Sequence, residues 1–122
     1  RDAEKSPRLR KNLDIRNSPE DNSQRMLNAL APGTQLPIHR HCDTSETVVI
    51  LKGMIREMFY DENGKETNSF LMQPNGCCVG LNIPCGTWHS VEVLEPSVIF
   101  ESKDGAYKPL SEHDILTFCG RI

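Results

Sequence analysis

Along residues 47–102 the apolar positions fall in short runs, each closed by residues that favour turns. Residues 47–51 are apolar and β-branched and stop before Gly53. Residues 55–60 follow and end at Asp61-Glu62-Asn63-Gly64, whose Asn-Gly pair is a strong hairpin signal. The return strand falls at 67–72, Pro74-Asn75-Gly76 makes a turn, and residues 78–83 form another strand. After Pro84-Cys85-Gly86 come strands at 88–94 and 97–102, predicted to pair across Glu95-Pro96. Strands at this spacing without intervening helices predict an all-β fold, an antiparallel sandwich or barrel.

Ahead of the strands, residues 18–31 are predicted as a helix packed on the barrel. Ser18 is placed to cap it, Pro19 suits its first position, and Glu20 and Asp21 sit where the helix dipole favours acids. Met26, Leu27 and Leu30 supply an apolar face, and Pro32-Gly33 ends it. The expected organisation is an N-terminal arm at 1–17, the helix at 18–31, the barrel at 32–109 and a C-terminal tail at 110–122. A short capped turn is expected at 111–114.

A chain of 122 residues supports one domain with one core. The net charge of −3, with no basic stripe interleaved with aromatics, argues against a nucleic-acid partner. The most basic stretch is residues 1–16, an arm or first strand with a positive face. No apolar run approaches the roughly 20 residues of a membrane helix. Five cysteines, Cys42, Cys77, Cys78, Cys85 and Cys119, are odd in number and form no CxxC pair. That argues against a secreted disulfide framework and makes the cytoplasm the expected location.

The chemistry concentrates in histidines. His39 and His41 are two apart, so on a strand both rings leave the same face while Arg40 points the other way. Strict alternation places Glu46 on the opposite face, so the polar run 42–45 must bend to return its carboxylate to the imidazoles. His89 stands just after the Pro84-Cys85-Gly86 turn, at the start of a strand. Three imidazoles and one carboxylate form a nitrogen and oxygen set suited to Zn, Fe, Mn, Ni or Co. His113, among polar residues of the tail, reads as surface. Cys42 and Cys85 flank the ligand segments, and Cys42 is expected to face away from the ion.

The run from Gly33 to Gly53, with His39, His41 and Glu46 at the matching positions, resembles the first cupin motif throughout. Pro84-Cys85-Gly86-Thr87-Trp88-His89 resembles the centre of the second, although the early Gly of that motif falls on Cys78 and its late Asn on Val93. Over the whole chain the sequence resembles the WbuC-type cupin fold metalloproteins. This likeness rests on residues 6–12, 24–30, 32–33, 83–89 and 100–107 together with the first motif. The resemblance implies a monocupin jelly-roll β-barrel with one divalent metal, Zn, Fe, Mn or Ni, and a homodimer. It also implies, by association with surface-polysaccharide genes, a sugar-related substrate.

Two functions remain open at this level. One is a metal-dependent enzyme, an oxygenase or isomerase, acting on a small polar molecule in the barrel. The other is a non-catalytic module that binds a small molecule or carbohydrate through its metal. Arg8 and Arg10 from the arm, with Glu101 and Tyr107, are the candidate pocket residues.

Overall fold

Period-two alternation builds two antiparallel sheets that face each other. In the computed structural model the described residues are 1–116, so the end of the predicted tail, with Cys119, lies outside them. The strands are β1 (Arg10–Asp14), β2 (Gln24–Leu30), β3 (Glu46–Lys52), β4 (Ile55–Tyr60), β5 (Glu66–Met72), β6 (Gly80–Ile83), β7 (Trp88–Val93) and β8 (Ser97–Lys103). One sheet has the order β1-β2-β8-β3-β6 and the other β5-β4-β7. A helical turn, α1 (Asp2–Lys5), precedes β1, and a short 3-10 helix at Glu112–Asp114 follows β8.

On β3 and β8 the inward face is apolar toward one end and polar toward the other. Val48, Ile50, Ile55 and Met72 are almost wholly buried and join Leu30, Ile83, Val93 and Ile99 in one core. On β3 the same inward face begins with Glu46, and on β8 it runs Ser97, Ile99, Glu101, Lys103. The sandwich is thus closed by hydrocarbon at one end and opens into a polar cavity at the other.

All six strands predicted after Gln35 are present, and β4 and β5 pair as a hairpin. The carboxylate of Asp61 accepts the backbone N–H groups of Asn63 and Lys65, and Gly64 takes a positive φ of 80° to close the turn. The capped turn of the tail also forms: the Ser111 hydroxyl and backbone N–H both donate to the Asp114 carboxylate.

Three expectations are corrected. Residues 18–31 are not a helix. Asp21 closes a loop, accepting N–H groups from Asn17 and Ser23 and the Arg25 guanidinium, and residues 24–30 are strand β2. Met26, Leu27 and Leu30 suit helical spacing, but Gln24, Met26, Asn28 and Leu30 also alternate at period two. Pairing with β1 on one side and β8 on the other decides for the strand. The arm boundary moves with it, because β1 is an outer strand of the larger sheet and the barrel begins near Arg10 rather than at residue 32. Finally, β7 and β8 are not a hairpin. β7 pairs with β4 and β8 with β2 and β3, so the chain crosses between sheets at 94–96.

Candidate metal centre

The segment carrying His39 and His41 is held from both sides. His39 exchanges two backbone hydrogen bonds with His89 at 3.0 and 2.8 Å, which seats it against the start of β7. On its other side the tail docks: Arg40 N–H donates to the Asp114 carbonyl and Leu116 N–H to the Ile38 carbonyl. Arg40 points away from the cluster, as alternation requires, with its guanidinium 4.4 Å from the Trp88 ring and 3.7 Å from Asp114. Trp88 therefore serves as a packed wall.

Glu46 rejoins the histidines through a bend at residues 42–43. The Ser45 N–H donates to the Asp104 carboxylate at 2.7 Å, fixing the entry to β3. The turn before His89 is tied to the same place. Gly86, at φ 81°, donates its N–H to the His41 carbonyl at 2.8 Å, and the Cys85 thiol contacts the Cys42 carbonyl. Two loops distant in sequence are thereby clamped where each delivers a ligand candidate. The Cys42 thiol turns outward to Asp114.

The outcome is a convergence of four side chains. One ring nitrogen from each of His39, His41 and His89 lies within 4.8 Å of the others. Glu46 Oε1 stands 3.6 Å from His41 Nε2 and 3.6 Å from His89 Nε2, too long for hydrogen bonds. His39 Nδ1 faces the Pro37 carbonyl at 3.0 Å and His89 Nδ1 faces the Thr87 carbonyl at 2.9 Å. A carbonyl only accepts, so each Nδ1 carries the proton and each Nε2 presents a lone pair. Burial, reinforced by the neighbouring His89, lowers the His39 pKa to about 4. Burial and then the nearby Lys103 charge lower that of His41 to about 3. His89 is lowered chiefly by burial. Neutral, oriented imidazoles beside a buried carboxylate are the donor set a divalent cation takes.

The cluster opens into a cavity of about 210 Å³. Arg10, Glu101 and Tyr107, predicted as pocket residues, line it. Arg8 does not; it borders a separate surface depression with Pro7 and Gly33. Sequence reasoning missed Glu57, Lys103, Asn28 and Gln24, which also line the cavity. Glu57 had a signal: it sits between Ile55 and Phe59 at inward positions of β4, where a carboxylate is out of place. Asn28 and Gln24 were concealed by the helical reading of β2. Glu57 is 4% exposed, and burial, then the charges of Glu46 and Glu101, push its pKa well above the ordinary range. Burial, then Glu46, pushes Glu101 up to about 8.

Two sheets of this order around a His-rich cavity define a cupin fold. The solved structures that match bear this out: KdgF from Halomonas sp. (15% identity, 84% of each chain, TM-score 0.64) and the Cnp3 cupin domain of Schizosaccharomyces pombe (16%, 79% of this chain and 64% of that one, 0.63). The capsular polysaccharide assembling protein CapF of Staphylococcus aureus matches at 19% identity over 88% of this chain, with a TM-score of 0.66. This chain spans only 28% of CapF. No curated protein matches in sequence. The chain belongs to the family described as Domain of unknown function (DUF6016), whose model matches residues 1–72. That match includes His39, His41 and Glu46 and stops short of His89.

Proposed function

We propose that this protein is a metal-dependent cupin enzyme that acts on a small polar, sugar-related molecule. One divalent cation is held by His39, His41, Glu46 and His89. The observation that carries the reading is the convergence of three lone-pair-bearing imidazoles and a carboxylate that do not hydrogen bond to one another. Facing one another without hydrogen bonds among them, these atoms are arranged to receive an ion. The cation would supply Lewis acidity at the cavity wall. The chain's own contribution is a pair of buried carboxyl groups, Glu57 and Glu101, whose pKa values burial raises and which line the cavity where a ligand oxygen would sit.

A WbuC-type assignment is supported by the 100–107 segment that carries the likeness, because it delivers Glu101, Lys103 and Tyr107 to the cavity. The description of CapF as assembling capsular polysaccharide supports a sugar-related ligand. A homodimer belongs to the same reading; Leu13 and Ile15, exposed on and just after the outer strand β1, offer an apolar edge for it.

The experiment is a depletion screen. Protein loaded with Mn, Fe, Ni or Zn is incubated with a panel of small sugars, sugar acids and sugar phosphates, and each compound is followed by mass spectrometry. At least one compound is expected to be consumed by loaded protein and spared by protein treated with chelator. Compounds that bind but are never consumed under any metal would replace the enzyme with a metal-dependent binding module.

A further inference from the structure

The floor of the cavity is the inner face of the larger sheet, and register fixes the order of its side chains. Glu46 and Gln24 both pair with Lys103 at the histidine end. Moving away along β8 and β2 come Glu101, opposite Met26, and then Asn28, opposite Asn12 of β1. Arg10 lies two residues before Asn12, so it is the diagonal neighbour of Asn28.

Two features of this floor are unfinished. Asn28 is 9% exposed, and its amide nitrogen donates to Glu101, yet its Oδ1 is buried and has no hydrogen-bond partner. Only the amide nitrogen can donate to a carboxylate oxygen, so Oδ1 is the atom left without a donor in a residue that lines the cavity. Leaving such an atom unsatisfied is costly unless a guest completes it. Arg10 lines the same cavity half-buried, and among the described residues it forms no ion pair. Its surroundings oppose its charge: burial and then Arg8 lower its pKa, while Glu101 offsets them only in part. A partly desolvated guanidinium is a fork built for a carboxylate or phosphate.

We infer that the ligand of this cavity is a small polyhydroxylated anion, its anionic group held by Arg10 and a hydroxyl held by Asn28, with its other end toward the histidine cluster. This rests on the proposed function above and narrows its substrate class. Carboxylate and phosphate both satisfy Arg10, and the probes below separate them.

The test is calorimetric binding to the full chain, with bound metal quantified in the same samples. The probes are D-gluconate, D-glucose 6-phosphate, their uncharged counterparts D-glucitol and D-glucose, and hexanoate, an anion without hydroxyls. Gluconate or glucose 6-phosphate is expected to bind at least about tenfold more tightly than its uncharged counterpart and than hexanoate, the scale of one charge-assisted hydrogen bond. Whichever of the two binds identifies the anionic group. Arg10→Gln, on an outer strand, should erase the preference for the anion over its uncharged counterpart. Asn28→Leu should erase the preference for the hydroxylated anion over hexanoate. Equal binding of charged and uncharged probes, no binding of any probe, or an unchanged preference in Arg10→Gln overturns the inference. Metal loading without discrimination overturns the ligand class alone. Discrimination without metal overturns the metal reading alone.

Discussion

At the scale of single residues, the candidate site is governed by burial acting on opposite kinds of acid. Burial lowers the pKa values of His39, His41 and His89 and raises those of Glu57 and Glu101. The two effects pull stability in opposite directions with pH. A histidine whose folded pKa lies below its unfolded value contributes stability above about 6.5 that is lost as pH falls toward 4 and 3. Glu101, raised from 4.5 to about 8, contributes stability below 4.5 that is lost as pH rises through about 8. Between about pH 6.5 and 8 the carboxyl effect therefore dominates in metal-free protein. Thermal unfolding of chelator-treated protein should show stability falling across that window, and Glu101→Gln should flatten the fall. Equal slopes in the two proteins would mean that Glu101 is ionised in the fold. His39, His41, Glu46 and His89 were legible in the sequence through their spacing, the turn residues between them and the likeness to the cupin motifs, although alternation alone puts Glu46 on the other face. Glu101 and Tyr107 were legible as polar residues near a strand end, whereas Arg8 and Arg10 are separated only in the structure, where Leu9 turns at φ 57° and β1 begins at Arg10.

At the scale of elements, glycines and cross-strand pairing decide what propensity leaves ambiguous. Gly53 sits between β3 and β4 at φ 87°, and a Cβ there would stand 2.3 Å from the Pro96 carbonyl oxygen and 2.3 Å from Ser97 Oγ. Ser97 also receives the Met54 N–H on its hydroxyl, so this contact joins the β3–β4 turn to the crossing into β8. Gly53→Ala is expected to destabilise the protein by about 2–4 kcal/mol in denaturant unfolding. An effect below about 0.5 kcal/mol, the range of an ordinary surface change, would show that the backbone relaxes freely there. The strands after Gln35 could be read because each is bounded by Gly, Pro or Asn-Gly. β2 could not: a short run with apolar residues at 26, 27 and 30 satisfies both periods, and only its neighbours β1 and β8 choose. The crossing at 94–96 was unreadable for the same reason, since Glu95-Pro96 marks a turn without saying which sheet receives the next strand.

At the scale of the whole molecule, one end of the sandwich holds the barrel shut with hydrocarbon and the other gathers polar side chains from β1, β2, β3, β4, β7 and β8 around one cavity. The N-terminal segment, read from the sequence as an arm or first strand, and the tail both complete that end. β1 supplies Arg10 to the cavity, and residues 114–116 bond the backbone beside His39. Among the described residues no helix is long and apolar enough to cross a membrane. The homodimer in the proposed reading is checked by light scattering at micromolar concentration: a dimer mass is expected, and a clean monomer mass removes that part of the account.

The central claim is that the four converging side chains hold one metal ion. Its most direct test is metal content by plasma mass spectrometry on protein purified without chelator or nickel resin, wild type beside His89→Ala, with circular dichroism to show that both are folded. His89 is 3% exposed and is the second residue of β7, so its removal deletes one ligand while the sheet pairing of β7 with β4 remains available. The wild type should carry about one equivalent of a divalent ion and the variant almost none. Wild-type protein that stays empty when zinc, manganese and iron are supplied, or a variant that carries as much metal as the wild type, would contradict the account.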